Sequence, residues 1–242
     1  MKDKSAFLTH FFDKIKEVKY AALGFTSHSL DVYEGDSLHI VLHHDDNKKI
    51  LSILEFSPYL RSIKILDKPF VSTVTLTFSD GQEFAINLVN AFVRQGVCYM
   101  SEVEVLRNIT TNDLGIKQAA PSYNFEYVWL LHMLNKKDVE QHYRLYFSAY
   151  DRETRSGIFA HIRGRYFLEL NVLDDLYDFH KRTYNQVTEK ILRRKENKWH
   201  KKLFRKMQYV PYSILNLIKS NSVKIQFKGY KQKNFSEQAQ LY

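Results

Sequence analysis

Residues 20–25 read Tyr20-Ala21-Ala22-Leu23-Gly24-Phe25, and eleven residues later comes Ser37-Leu38-His39-Ile40-Val41-Leu42. Both segments have the composition of strands, and the polar stretch Thr26–Asp36 between them reads as a loop. In the second segment Leu38, Ile40 and Leu42 recur at every other position. They fix a register in which these three enter the core, while Ser37 and His39 share the opposite face. The first segment predicts a strand over Lys19–Phe25. Ahead of it, Leu8, Phe11, Phe12 and Ile15 have helical spacing, which predicts a helix over Ser5–Val18. Behind it, His44-Asp45-Asp46-Asn47 turns the chain into a helix over Lys48–Phe56, with Asp45 or Asp46 as N-cap.

Working outward, Ser62–Leu66, Thr73–Phe78 and Glu83–Val89 read as strands, the last two joined by the hairpin signal Asp80-Gly81. After Ala91 the strand signal fades. Helices are predicted over Glu102–Asn108, Tyr123–Asn135 and Val139–Tyr150, and a long one from Leu168 through Thr188 into the basic segment that follows. Phe125, Val128, Trp129, His132 and Met133 form one apolar helical face, which makes His132 a core histidine. Arg163-Gly164-Arg165 reads as a surface turn, and Asp174, Asp175 and Asp178 as the solvated face of a helix. The expectation is an α/β (α+β) chain: a mixed sheet with flanking helices over 1–95, a helical segment over 96–180 and a basic helical extension over 181–242.

Composition bounds the function. Of 242 residues, 44% are hydrophobic and 26% charged, and Gly and Pro together number only 12, which excludes collagenous and disordered readings. No apolar run approaches the roughly 18 residues of a membrane span, and MKDKSAFLTHFF lacks the apolar core of a leader, so a cytoplasmic protein is expected. The single Cys98 excludes an internal disulfide or a thiolate metal cluster, and its apolar neighbours make it a packing residue rather than a nucleophile.

Charge is unevenly placed. Residues 1–180 hold 20 Lys and Arg against 24 Asp and Glu, whereas residues 181–242 hold 16 against 3. A body of net −4 therefore carries an extension of +13, an attachment device for something anionic. The densest run, Lys190–Lys206, contains nine Lys or Arg and one Glu, and Leu176, Val187, Ile191, Trp199, Leu203 and Met207 continue an apolar helical spacing through it. Arg193, Arg194, Lys198, Trp199, Lys201, Lys202, Arg205 and Lys206 are the candidate anion- or membrane-binding residues of a basic amphipathic helix. A solvated helix packed on the body, or a nucleic-acid contact, uses the same residues.

The spacing from Leu23-Gly24-Phe25 to Ser37-Leu38-His39, followed by Ile86-Asn87-Leu88 on a later strand, resembles the signature of the DNA polymerase β-type nucleotidyltransferases. In that family an apolar residue, Gly and Gly or Ser precede, by about a dozen residues, an Asp-apolar-Asp strand, and a neighbouring strand adds a third carboxylate. Tyr20–Leu23, Leu38–Leu42, Asp80-Gly81, Gly96-Val97 and the helical Glu126–Lys136 are similar to the nucleotidyltransferase-like proteins of bacterial surface-polysaccharide gene clusters. The resemblance spans about residues 5–150. It implies two-metal phosphoryl transfer, in which three carboxylates hold two Mg²⁺ ions against a triphosphate.

In this register Ser37, His39 and Asn87 stand at the carboxylate positions, and Gly24 and Phe25 form a degenerate phosphate loop in which Phe25 is expected to crowd the phosphate path. The implication is a non-catalytic relative with a binding, regulatory or scaffold role in polysaccharide assembly, at the inner membrane surface and beside a biosynthetic enzyme, needing no cofactor. Two alternatives remain open. Asp36 replaces a lost carboxylate if the strand slips by one residue, or His39, His43, Asp45 and Asp46 form a rebuilt metal site. The first restores an enzyme that uses Mg²⁺ and a nucleoside triphosphate, whereas the second suits a divalent transition metal, which accepts imidazole together with carboxylate. A third reading makes the basic extension itself the function, as a membrane or nucleic-acid adaptor.

Overall fold

The computed structural model describes residues 2–26, 30 and 37–221, with side chains for 4–26, 30 and 37–210. Helix α1 (Lys2–Lys14) leads into β1 (Tyr20–Leu23), β2 (Ser37–Leu42) and α2 (Asn47–Glu55), followed by β3 (Leu60–Asp67), β4 (Val71–Phe78) and β5 (Glu83–Val89). These are the predicted elements, with ends shifted by a few residues. Two of the additions are unpredicted: the small hairpin β6 (Phe92–Arg94) and β7 (Val97–Met100), and the pair β8 (Ile109–Thr111) and β9 (Lys117–Ala119) around α3 (Glu102–Arg107). The seven-stranded sheet has the order β3-β4-β5-β2-β1-β9-β8, so it draws strands from both sides of the expected boundary at residue 95.

The sheet is mixed. Strand β2 runs antiparallel to β1 and parallel to β5, and β9 joins β1 in parallel. Alternation sends the two sides of each central strand into different cores. Tyr20, Ala22, Leu38, Ile40, Leu42, Phe84, Ile86 and Leu88 pack with Phe7, Phe11, Phe12 and Ile50 of α1 and α2. Ala21, Leu23, Val41 and Val89 pack instead with the helical half. Leu38, Ile40 and Leu42 are buried as the register requires, so β2 has not slipped.

The helical half consists of α4 (Pro121–Leu134), α5 (Gln141–Ser148), α6 (Arg152–Tyr166), α7 (Lys181–Leu192) and α8 (Trp199–Asn221). Phe125, Val128, Trp129, His132 and Met133 of α4 are all buried, as expected. The predicted long helix from Leu168 does not form. Phe167 ends α6 in the left-handed region at φ 55°, and the chain then crosses a 3-10 turn at Leu173–Leu176 before α7 begins. Leu168, Leu173, Leu176 and Tyr177 are buried, so their apolar spacing anchors an irregular segment rather than a helical face. Arg163-Gly164-Arg165 lies in the last turns of α6 and is not a surface turn.

The basic run is likewise broken. Helix α7 ends at Leu192, and the buried Asn197 bridges the gap before α8 by donating to Ile191 O (2.7 Å) and Cys98 O (2.7 Å) and accepting from Cys98 N (2.8 Å). Val187 and Ile191 enter the core, whereas Trp199, Leu203 and Met207 are exposed, so the predicted continuous stripe divides at that break.

Candidate functional site

The three positions set by the register converge. His39 on β2 lies directly opposite Asn87 on β5, with Asn87 Nδ2 3.3 Å from His39 Nε2, and Ser37 Oγ is 3.3 Å from the same nitrogen. Thr73 of β4 donates to Asn87 Oδ1 (2.8 Å), leaving Nδ2 as the donor towards His39. The imidazole proton then sits on Nδ1, which faces Tyr127 Oη of α4 at 2.5 Å. Both ring nitrogens are occupied by neutral partners. A second proton on Nε2 would meet the Asn87 amide hydrogens, and burial pushes the His39 pKa down to about 4, so the ring is neutral at pH 7. Burial also raises Tyr127 well above the usual phenol range.

The phosphate-loop positions are similarly engaged. Gly24 is left-handed (φ 61°), and its N–H donates to Oδ1 of the buried Asn124 on α4 (2.8 Å). A Cβ here would stand 3.2 Å from the hydroxyl of Tyr143 on α5, so α5 closes against the loop from outside. Phe25 corrects the expectation: its ring is buried in the core on the α1 side of the sheet, 6.1 Å from the Phe12 ring, and does not obstruct the cleft. The obstruction comes from Asn124, Tyr127 and Tyr143. The sequence placed Asn124 and Tyr127 on a predicted helix and Tyr143 on the next, but no local signal tied any of the three to Gly24 or His39.

The alternative metal site does not assemble. His43 lies beyond the end of β2 and is exposed, Asp45 is exposed in the following 3-10 turn, and Asp46 occupies the N-cap of α2 without a side-chain cap bond. Among the described residues, no group of three or more His, Cys, Asp and Glu side chains could hold a metal ion. Asp36 lies outside the described residues.

A buried ionic cluster was also missed. Glu126 on α4 is fully buried, accepts from His161 Nε2 (2.9 Å) and Tyr166 Oη (2.5 Å), and pairs with Arg165 Nε (2.9 Å); Arg165 in turn pairs with Glu104 at 2.6 Å. Burial works against the Arg165 charge, but the two carboxylates outweigh it and raise its pKa. These partners come from α3, α4 and α6, and Arg194, beyond α7, stacks over the Tyr166 ring, so the cluster ties helices together.

Of the basic candidates, Arg193 pairs with Glu189, Arg194 donates to Tyr99 O (2.9 Å), and both border a cavity of about 510 Å³ with Lys190, Lys195 and Phe167. Arg205 donates from Nε to Gly96 O (2.9 Å), while Lys202 and Lys206 lie along the Gly96 turn. Lys198, Trp199 and Lys201 are exposed. Asp174 and Asp178 pair with Arg155 (3.1 Å) and Arg144 (2.8 Å) rather than lining a helix face. Cys98 is half-buried and its thiol is pushed up by burial. No family model, curated protein or solved structure matches the chain.

Proposed function

We propose that this chain is a non-catalytic, nucleotidyltransferase-like protein that acts as a binding, regulatory or scaffold component of surface-polysaccharide assembly, at the inner face of the membrane and beside a biosynthetic enzyme. One observation carries the reading. The three positions where the resemblance requires carboxylates are brought together, in register, as a hydroxyl, a neutral imidazole and an amide. Mg²⁺ needs charged oxygen ligands, and these groups supply none. The Gly24 N–H that a phosphate would take is already given to Asn124. Sheet order supports the same reading, because the strand bearing Asn87 adjoins the strand bearing His39.

The test is calorimetric titration of the purified chain with nucleoside triphosphates and sugar nucleotides, with and without Mg²⁺ or Mn²⁺. Metal ions are expected to leave the isotherms unchanged. Saturable, metal-dependent triphosphate binding that Asp36→Ala abolishes would instead establish an enzyme with relocated carboxylates.

A further inference from the structure

Helix α8 packs against the body with the wrong face. Its half-buried positions are Lys202, Arg205 and Tyr209, which recur at i, i+3 and i+7 and therefore define the side turned inward. That side holds to the β6–β7 turn through the Arg205 bond to Gly96 O (2.9 Å), to the 3-10 turn ahead of α8 through the Arg205 bond to Glu196 O (2.7 Å), and to the β3–β4 connection through the Tyr209 ring, 5.4 Å from Phe70. The apolar side chains look away. Trp199, Leu203, Met207 and Val210 recur at i, i+4, i+8 and i+11, forming one stripe, with Phe204 beside it. Their exposures are 77%, 50%, 59% and 49%, and 64% for Phe204. Five large apolar side chains exposed within twelve residues of one helix are a patch, not scatter. In the sequence, Ile214, Leu217 and Ile218 continue the spacing.

We propose that this stripe inserts into the interface of an anionic lipid bilayer, with α8 lying in the membrane plane. Charge decides between occupants. The 23 residues of α8 contain Lys201, Lys202, Arg205, Lys206 and Lys219 and no Asp or Glu. Lys202 and Arg205 are turned to the body, but Lys198, Lys201 and Lys206 are exposed; a second copy of the helix would bring the same positive charges against these with no carboxylate on either α8 to answer them, whereas anionic headgroups supply the countercharge. Trp199 at the first turn suits the headgroup boundary, and α8 is not apolar enough to cross the membrane. The inference gives the peripheral placement a structural means and does not depend on the cleft reading.

The experiment is flotation of the full chain with phosphatidylcholine vesicles, with and without about one-third phosphatidylserine. Binding is expected to be about tenfold or more stronger to the anionic vesicles and to weaken with added salt. Trp199 emission should shift to the blue, with buried Trp129 unaffected. Leu203→Glu/Met207→Glu, at exposed positions, should keep the circular dichroism spectrum and lose binding about tenfold or more. Equal binding to both vesicle types, or undiminished binding by the double variant, overturns the proposal. So does absence of vesicle binding together with a dimer that the double variant splits, or with a salt-sensitive gel shift of single-stranded nucleic acid.

Discussion

His39 has a folded-state pKa near 4 against an ordinary value of 6.5, because its ring is buried between Asn87 and Tyr127 without a carboxylate. The unfolded chain therefore takes up a proton at a pH where the folded chain does not. The resulting stability is complete above about pH 6.5 and is lost as pH falls from there towards pH 4. Between about pH 7.5 and pH 5 this one residue should account for about 2 kcal/mol of lost stability. Urea unfolding at the two pH values checks it: in His39→Gln the pH-dependent loss should be smaller by that amount. An equal loss in both proteins would mean that the ring is solvated. His39 also marks what was legible at this scale. Alternation of three apolar residues was enough to place Ser37 and His39 on one face, but Tyr127, 88 residues away, left no local signal.

At the scale of elements, the strands that alternate over six or more residues could be read, and β5 falls where it was predicted, because alternate residues of each form one fully buried apolar face. The three-residue β8 and β9 could not, since periodicity needs more length than they have. Gly164 suggested a turn, yet the pairing of Arg165 with Glu126 belongs to a continuous α6. The attachment of α8 depends on Gly96, left-handed at φ 79°, where a Cβ would stand 2.7 Å from Lys206 Cγ and 2.8 Å from Lys202 O. Gly81 has a similar φ of 83° with nothing within 4 Å, so it serves as the control. Gly81→Ala should cost only backbone strain, about 1 kcal/mol. Gly96→Ala should cost roughly 2–3 kcal/mol and expose the Lys201–Lys206 segment to trypsin, because the neighbouring backbone has to move. Equal losses and equal proteolysis in the two variants would show that α8 is not held at this turn.

For the whole molecule, the sheet links what the sequence divides. Residues 109–119 supply two strands, and β9 lies beside β1, one strand in from the β8 edge, so the helical half cannot leave without taking two strands from the sheet. Strand β1 sends Tyr20 and Ala22 into one core and Ala21 and Leu23 into the other. Exposing either core strips one side of β1 and takes buried residues from β2 and β5, and the two cores should therefore melt together, even though chains of this length often unfold in steps. The two tryptophans make this measurable. Trp129 is buried in the helical half, and Trp199 is 77% exposed and contributes little to the change. Trp129 fluorescence follows the helical half, while far-ultraviolet circular dichroism follows both. The two should give one coincident midpoint in urea. A fluorescence midpoint displaced from the dichroism midpoint would mean that residues 96–180 unfold on their own, and that β8 and β9 add strands without adding cooperativity.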